Sequence, residues 1–234
     1  MELSKRMQAV ADLVTVGNRV ADIGTDHAYI PIYLIEENIS PSVIAMDINE
    51  GPLQIAESHI KENQLHNRIE LRLSNGFEKL KPFEAETAVI AGMGGALVIR
   101  ILDTYREVTN SLKEIILQPQ SEIYKVREHL LKEGFVILDE NMVCEDGKYY
   151  PMMKVCISKE NTCEMWNDAE LEYGKFLLEK KHPVLLQFLK RELEIRKQIL
   201  DRLSEQTGDR ILKRQEEVRE EIRIIEKGLE YYAL

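Results

Sequence analysis

The chain has 234 residues, 44% of them hydrophobic, and a formal net charge of −10; that supports a buried core in one large domain, or in one domain with an appendage, and excludes a disordered chain. An acidic total argues against a protein that coats nucleic acid through bulk positive charge, although a local basic patch is compatible with it. The three cysteines, Cys144, Cys156 and Cys163, contain no C-x-x-C pair, which points away from a disulfide framework or a zinc site and towards reduced thiols.

The first residues, MELSKRMQAVADLV, are charged and helical in pattern, and no stretch approaches the roughly 18 apolar residues of a membrane span, so the expected compartment is the cytoplasm. Up to about residue 158 short apolar strands alternate with helices, the pattern of a parallel sheet covered on both faces. Strands are predicted at Arg19–Ile23, Val43–Asp47, Ile69–Leu73, Thr87–Ala91 and Glu114–Gln118. Helices are predicted between them, at Ala28–Glu37, Leu53–Asn63, Ala96–Tyr105 and Ile123–Lys132. Phe135–Val143 and Tyr149–Ser158 then read as two strands joined through Asp146-Gly147, a hairpin signal. Five β-α units closed by a hairpin outline an α/β fold, the Rossmann-like seven-stranded sheet of class I methyltransferases.

From Thr162 onward charged helical sequence takes over. Leu186, Leu189, Leu193, Leu200 and Leu203 recur at helical spacing, as do Ile211, Val218, Ile222, Ile225 and Leu229, with Gln206–Asp209 as a break. The pattern predicts an antiparallel, coiled-coil-like helical hairpin. The expected division is a methyltransferase domain at 1–159 and a helical hairpin at 160–234.

The segment from Val20 to Pro31 carries the most chemical information, because an apolar strand runs into a turn with one glycine, Gly24, flanked by Asp22 and Asp26. A nicotinamide site packs glycines as GxGxxG where a pyrophosphate meets backbone. Two carboxylates repel a pyrophosphate and suit a phosphate-free ligand with a cationic end, for which S-adenosyl-L-methionine is the candidate cofactor. Asp47, at the end of the second strand, can accept both hydroxyls of a ribose or simply cap the following helix. Ser74-Asn75-Gly76-Phe77 offers an amide to an adenine and an aromatic ring to cover it, or is an ordinary Asn-Gly turn. Gly92-Met93-Gly94-Gly95 lets backbone approach a ligand at the fourth strand's end. Gln118-Pro119-Gln120 can add side-chain donors at the same edge. The Pro-Pro-aromatic motif of enzymes that methylate exocyclic base amines does not occur after the fourth strand, which favours a different acceptor atom. Asp26, His27 and Tyr29 are the candidate catalytic residues: Asp26 as a carboxylate near a developing cation, Tyr29 as a stacking ring, and His27 as a catalyst or a structural hydrogen-bonder.

Together, LSKRMQAVADLV, VADIGTDHAYIPIYL, AMDIN, SNGF, AGMGG and LQPQ resemble the bacterial family of tRNA (adenine-22-N1)-methyltransferases, TrmK, across essentially the whole chain. The resemblance implies a class I domain followed by a helical domain, with S-adenosyl-L-methionine as cofactor and tRNA as the substrate partner. It places Asp22, Gly24 and Thr25 at the donor's amino-acid end, Asp47 and Ile48 at the ribose, Asn75 and Gly76 at the adenine, and Gly92, Met93 and Gly94 near the methyl. Asn75 departs from the Asp of many relatives, and an amide can still pair with the adenine amine. No metal and no membrane are expected, and a monomer is favoured. RNA docking would use Lys5 and Arg6 beside the active edge and Lys190, Arg191, Arg196, Lys197, Arg210, Lys213 and Arg214 on the hairpin, unless these are a solvated surface. Methylation of another nucleic-acid atom or of a small molecule, and a non-catalytic binding module on the same fold, stand as alternatives.

Overall fold

The computed structural model describes residues 2–158 and 165–233. The chain divides into two compact units, Met1–Glu164 and Met165–Leu234; the boundary expected between residues 159 and 160, and Cys163, lie outside the described residues.

In the first unit, β1 (Val20–Ile23), β2 (Val43–Asp47), β3 (Ile69–Leu73), β4 (Thr87–Met93), β5 (Glu114–Pro119), β6 (Phe135–Glu145) and β7 (Lys148–Ile157) form one sheet in the order β3-β2-β1-β4-β5-β7-β6. The first five strands are parallel, and β7 runs antiparallel to both of its neighbours. Every residue of β1 and β5 is buried, because helices on both faces leave a central parallel strand no solvent side. Asp146 and Gly147 join β6 to β7 with φ of 49° and 72°, the pair of positive dihedrals that a twist-matched two-residue hairpin requires.

The helices are α1 (Lys5–Ala11), α2 (Tyr29–Glu36), α3 (Glu50–Glu62), α4 (Gly95–Thr104), α5 (Arg106–Ser111) and α6 (Ile123–Lys132). Ser4 caps α1 by accepting a hydrogen bond from Met7 N at 3.3 Å, and Lys5 N donates to Glu145 Oε1 at 2.7 Å. These contacts hold α1 at the end of β6, beside the carboxyl edge of the sheet. The short α5 was not expected, since REVTNS carries only one aliphatic residue and shows no apolar period. Its anchor is polar: buried Thr109 donates to Leu102 O at 3.0 Å. A second feature beyond periodicity is the Arg127–Glu140 ion pair between α6 and β6, with Nε to Oε1 at 2.9 Å and both side chains almost fully buried.

The second unit holds α7 (Asp168–Tyr173), α8 (Lys175–Glu179), α9 (Pro183–Ser204) and α10 (Asp209–Glu230). Of these, α9 and α10 are the helices that the spacing predicts, broken at Gln206–Gly208. They pair antiparallel: Gln215 Nε2, early in α10, donates to Leu203 O near the end of α9 at 2.9 Å, and Tyr232 Oη, past the end of α10, donates to His182 O before α9 at 2.9 Å. Leu185 and Leu189 are the buried positions of α9, so the seam begins one residue before Leu186. Two expected docking cations serve the hairpin itself, since Arg196 and Arg214 both pair with Glu221. Lys190, Lys197, Arg210 and Lys213 are exposed.

Candidate functional site

The strand order reverses between β1 and β4, and a parallel sheet opens a crevice at that switch point beyond its strand ends. There β1 gives way to Gly24, whose φ of +76° suits glycine. The turn is pinned to β2 by hydrogen bonds from Gly24 N and Thr25 N to Met46 O, each 2.8 Å. On the other side β4 slips register against β5 between Ala91 and Met93, at Gly92 with φ +78°. Between these two glycines lies a cavity of about 310 Å³ lined by Arg6, Met7, Asp22, Gly24, Thr25, Asp26, Ile30, Asp47, Pro52, Ala91, Gly92 and Gln120. That volume is in the range of small-ligand sites.

The cavity brings together Asp22, Gly24, Thr25, Asp26, Asp47 and Gly92 of the expected site. Its electrostatics are set by three carboxylates. Asp22 is buried, and burial, reinforced by the charges of Asp47 and Asp26, pushes its carboxyl up to about 6. A cation placed beside it would recover that cost. Asp47 Oδ1 accepts from Asn49 N at 2.7 Å, a contact that fixes the turn between β2 and α3, and Asp47 also lines the cavity. The buried Thr25 hydroxyl lies beside the Asp22 carboxyl and works against the upward push of burial. A buried carboxylate that remains raised to about 6 with a hydroxyl beside it fits a polar, cationic ligand. No group of three or more metal-ligating side chains occurs among the described residues.

Several expected residues lie outside the cavity lining. Phe77 is fully buried, edge-on to Tyr105 at 6.5 Å, so it belongs to the core and does not cover a bound ring. Gly76, with φ +59°, would set a Cβ 3.0 Å from Ile101 Cγ1, and its absence of side chain serves packing; Asn75 is exposed in the same turn. Ile48 is exposed beyond β2. The glycine-rich segment divides by role. Gly92 faces the cavity, whereas a Cβ on Gly94 would come 3.3 Å from Ser121 Oγ and one on Gly95 2.5 Å from Ser121 O. Met93 reaches back to the first turn, its Cε 2.4 Å from where a Cβ on Gly24 would stand.

Asp26 lines the cavity, whereas His27 and Tyr29 do not; the three share one unusual turn. His27 and Ala28 are consecutive left-handed residues, φ 57° and 60°, with no glycine between them. His27 Nε2 lies 3.2 Å from Asp26 Oδ1. His59 on α3, which the sequence pattern did not mark, places Nδ1 2.9 Å from His27 O. Its ring stands 5.4 Å from that of Tyr29 and 6.2 Å from that of His27. The result is a half-buried aromatic group, able to meet a flat ligand.

The cavity wall also includes residues from distant segments. Arg6 Nη1 donates to Gln118 Oε1 at 3.1 Å, the same oxygen accepts Gly92 N at 3.2 Å, and the guanidinium stands over the Tyr150 ring at 5.7 Å. Arg6 and Gln120 were visible as edge residues; that they line this cavity was not.

Comparison with known proteins adds three kinds of finding. A family model described as tRNA (adenine(22)-N(1))-methyltransferase matches residues 20–227. The tRNA (adenine(22)-N(1))-methyltransferase of Bacillus subtilis is 34% identical over 210 residues, 88% of this chain and 87% of that protein. Among solved structures, Streptococcus pneumoniae Sp1610 in complex with S-adenosyl-L-methionine is similar with a TM-score of 0.86 and 30% identity, covering 97% of this chain and 100% of that one. The TrmK of M. capricolum in complex with S-adenosyl-homocysteine is similar with a TM-score of 0.83 and 27% identity, covering 99% of each chain.

Proposed function

The chain belongs to the tRNA (adenine(22)-N(1))-methyltransferase family, and from that premise we propose how its residues divide the work. It is an S-adenosylmethionine-dependent enzyme that methylates N1 of adenine 22 in tRNA. The observation that carries the reading at the level of residues is the cavity with three carboxylates at the switch point.

When bound, S-adenosylmethionine supplies an electrophilic methyl group on a sulfonium. Asp22, Gly24 and Thr25 hold its amino-acid end: the carboxylate offsets the ammonium, and the glycine admits close approach. Asp47 takes the ribose hydroxyls, with Ile48 beside it, and Asn75 and Gly76 form the adenine side. Gly92, Met93 and Gly94 border the methyl region. Adenine N1 has an in-plane lone pair, so no base has to act before attack, and catalysis rests on alignment and on tolerating the cation that forms. N1 lies on the Watson–Crick edge, so the base must leave its pair. Tyr29, backed by His59, offers the unpaired base a stacking surface, and Asp26 sets a negative charge near the methylated ring.

Residues 1–159 carry the chemistry and the helical hairpin of 160–234 contributes to tRNA docking through Lys190, Lys197, Arg210 and Lys213. Charge reversal at Lys190 and Lys197 is expected to weaken tRNA binding with donor affinity unchanged; equal tRNA affinity would remove the docking role. No helix among the described residues is long and apolar enough to cross a membrane, and the cytoplasm is the compartment that suits a tRNA substrate.

The test is incubation of the protein with tRNA and methyl-labelled donor, followed by nucleoside mass spectrometry after chromatography that separates N1-methyladenosine from N6-methyladenosine. Labelled N1-methyladenosine at position 22 is the expected product. N6-methyladenosine as the first product would overturn the assignment of the acceptor atom.

A further inference from the structure

The sheet has an open edge at β3, which pairs with β2 and, among the described residues, with no other strand. An unpaired edge is a template for another strand, and chains that do not use it blunt it with lysines, a proline or a bulge. The β3 sequence, Ile-Glu-Leu-Arg-Leu, has no lysine and no proline, its register with β2 is unbroken, and its two charges are of opposite sign.

The hydrogen-bonding phase of the edge is fixed by the inner neighbour. Val43 N donates to Arg68 O at 2.9 Å and Ser74 N donates to Asp47 O at 2.8 Å, so in this parallel ladder the even-numbered residues of β3 bond to β2 and the odd-numbered ones turn their N–H and C=O outward. Ile69 N is taken within the chain, donating to Leu65 O at 3.0 Å. What faces outward is therefore both backbone groups of Leu71, both of Leu73, and the Ile69 carbonyl.

That set is self-complementary. A second β3 laid antiparallel about a two-fold axis at Leu71 lets the two Leu71 residues exchange both bonds, while each Leu73 N–H meets the opposite Ile69 carbonyl. The same register sets Glu70 across from the second copy's Arg72 as a close, non-hydrogen-bonded pair of opposite charge. An axis on Glu70 or Arg72 would instead oppose like charges and present residues whose backbone bonds are already made. Directly opposed side chains share a face, so the second copy's Leu73 comes beside Ile69. On that face Ile69 and Leu71 pack with Ala56 and Ile60 of α3, next to a groove of about 660 Å³ lined by Ile60, Lys61, Gln64, Ile69 and Leu71. Leu73 is exposed, and the pairing carries the exposed leucine of each copy to the groove of the other.

We propose that β3 is the docking edge for a second copy of this chain, joined by antiparallel β3–β3 pairing about Leu71 into one continuous sheet. This replaces the monomer expected from sequence. The strands of the two copies run in opposite directions, so their carboxyl edges face opposite ends of the joined sheet and each cavity serves its own tRNA.

A five-residue strand makes a small interface, and small interfaces are weak. For a dissociation constant of about 100 μM, about one-fifth of the chain is monomeric at a total of about 1 mM and most of it at about 10 μM. Sedimentation equilibrium over that range is expected to show the mass rising from one copy towards two. Backbone hydrogen exchange locates the contact: the Leu71 and Leu73 amides are expected to exchange about fourfold more slowly at the higher concentration, and the Ile69 amide, bonded within the chain, to stay the same. Glu70→Lys, which opposes like charges across the axis, and Leu73→Pro, which removes an N–H that β2 does not use, are each expected to remain monomeric at about 1 mM. A mass of one copy throughout, or a dimer whose Leu71 and Leu73 amides exchange equally fast at both concentrations, would overturn the proposal with no variant having to fold. So would a folded variant that dimerises as the wild type does.

Discussion

Asp22 offers a perturbation whose size follows from its surroundings. Its carboxyl is pushed up to about 6 by burial and by the charges of Asp47 and Asp26. A site of that strength is about nine-tenths ionised at pH 7 and about one-tenth ionised at pH 5. If the ionised form is the one that receives the donor's ammonium, donor affinity falls about tenfold over that interval, while the donor's own ammonium and carboxylate keep their charges. Asp22→Asn should bind weakly and with little dependence on pH. Stability moves the other way. The ordinary value of 3.8 lies below the folded one, so the folded state holds the proton more tightly, and native stability is lost as pH rises from about 4 to about 6. Two pKa units correspond to about 3 kcal/mol, and Asp22→Asn should recover up to about that amount at pH 7 in a urea titration and none of it below pH 4. Calorimetry of S-adenosylmethionine binding at pH 5, 6 and 7 is the primary assay. A wild-type affinity that is flat across the range, or an equal slope in Asp22→Asn, would refute the reasoning.

Gly24→Ala combines a left-handed φ with a close approach to Met93 Cε; it should cost about 1 kcal/mol or more in chemical denaturation and lower donor affinity. Adding Met93→Ala should restore little, because a flexible methyl yields whereas the dihedral does not; full recovery would show that the clash alone mattered. His59→Gln should slow single-turnover methylation at unchanged donor affinity, and His59→Asn, whose amide N–H stands near the place of Nδ1, should retain more of the rate; equal rates in the two variants would remove the bond to His27 O as the cause. Arg127→Met removes the cation that pairs with buried Glu140 and should cost about 3 to 5 kcal/mol by urea titration, much of it recovered in Arg127→Met/Glu140→Leu.

What was legible in the chain is what is local. The five parallel strands and the hairpin follow from apolar runs and turn residues within ten or so positions of each other, and Asp22, Gly24 and Asp47 follow from strand ends that carry acid and glycine together. Asn167-x-x-Glu170 is a capping box visible in the sequence, in which Asn167 accepts from Glu170 N and Glu170 accepts from Asn167 N, so α7 was open to the same reasoning. Phe77 shows where such reasoning fails. An aromatic residue after an Asn-Gly turn has the same local pattern whether it covers a ligand or fills a core, and only its packing against Tyr105 decides. Arg6 fails for the complementary reason: its meaning comes from Gln118, 112 positions away, and nothing in the spacing links the two.

On the proposed reading, the turn of His27 and Ala28 lies on the side that receives the acceptor base. Each left-handed non-glycine residue raises the energy of a turn, and His27 and Ala28 adopt that conformation in succession. Such a turn persists only if its surroundings hold it, and here the holding groups are His59 Nδ1 on the His27 carbonyl and the His59 ring beside Tyr29. Glycine at either position would relieve the strain while adding freedom to the residues that precede Tyr29. The chain instead keeps side chains there and recruits a helix from beyond β2 to hold them. If Tyr29 receives the unpaired base as proposed, a turn held in this way would limit its motion, which is what a reaction governed by alignment requires.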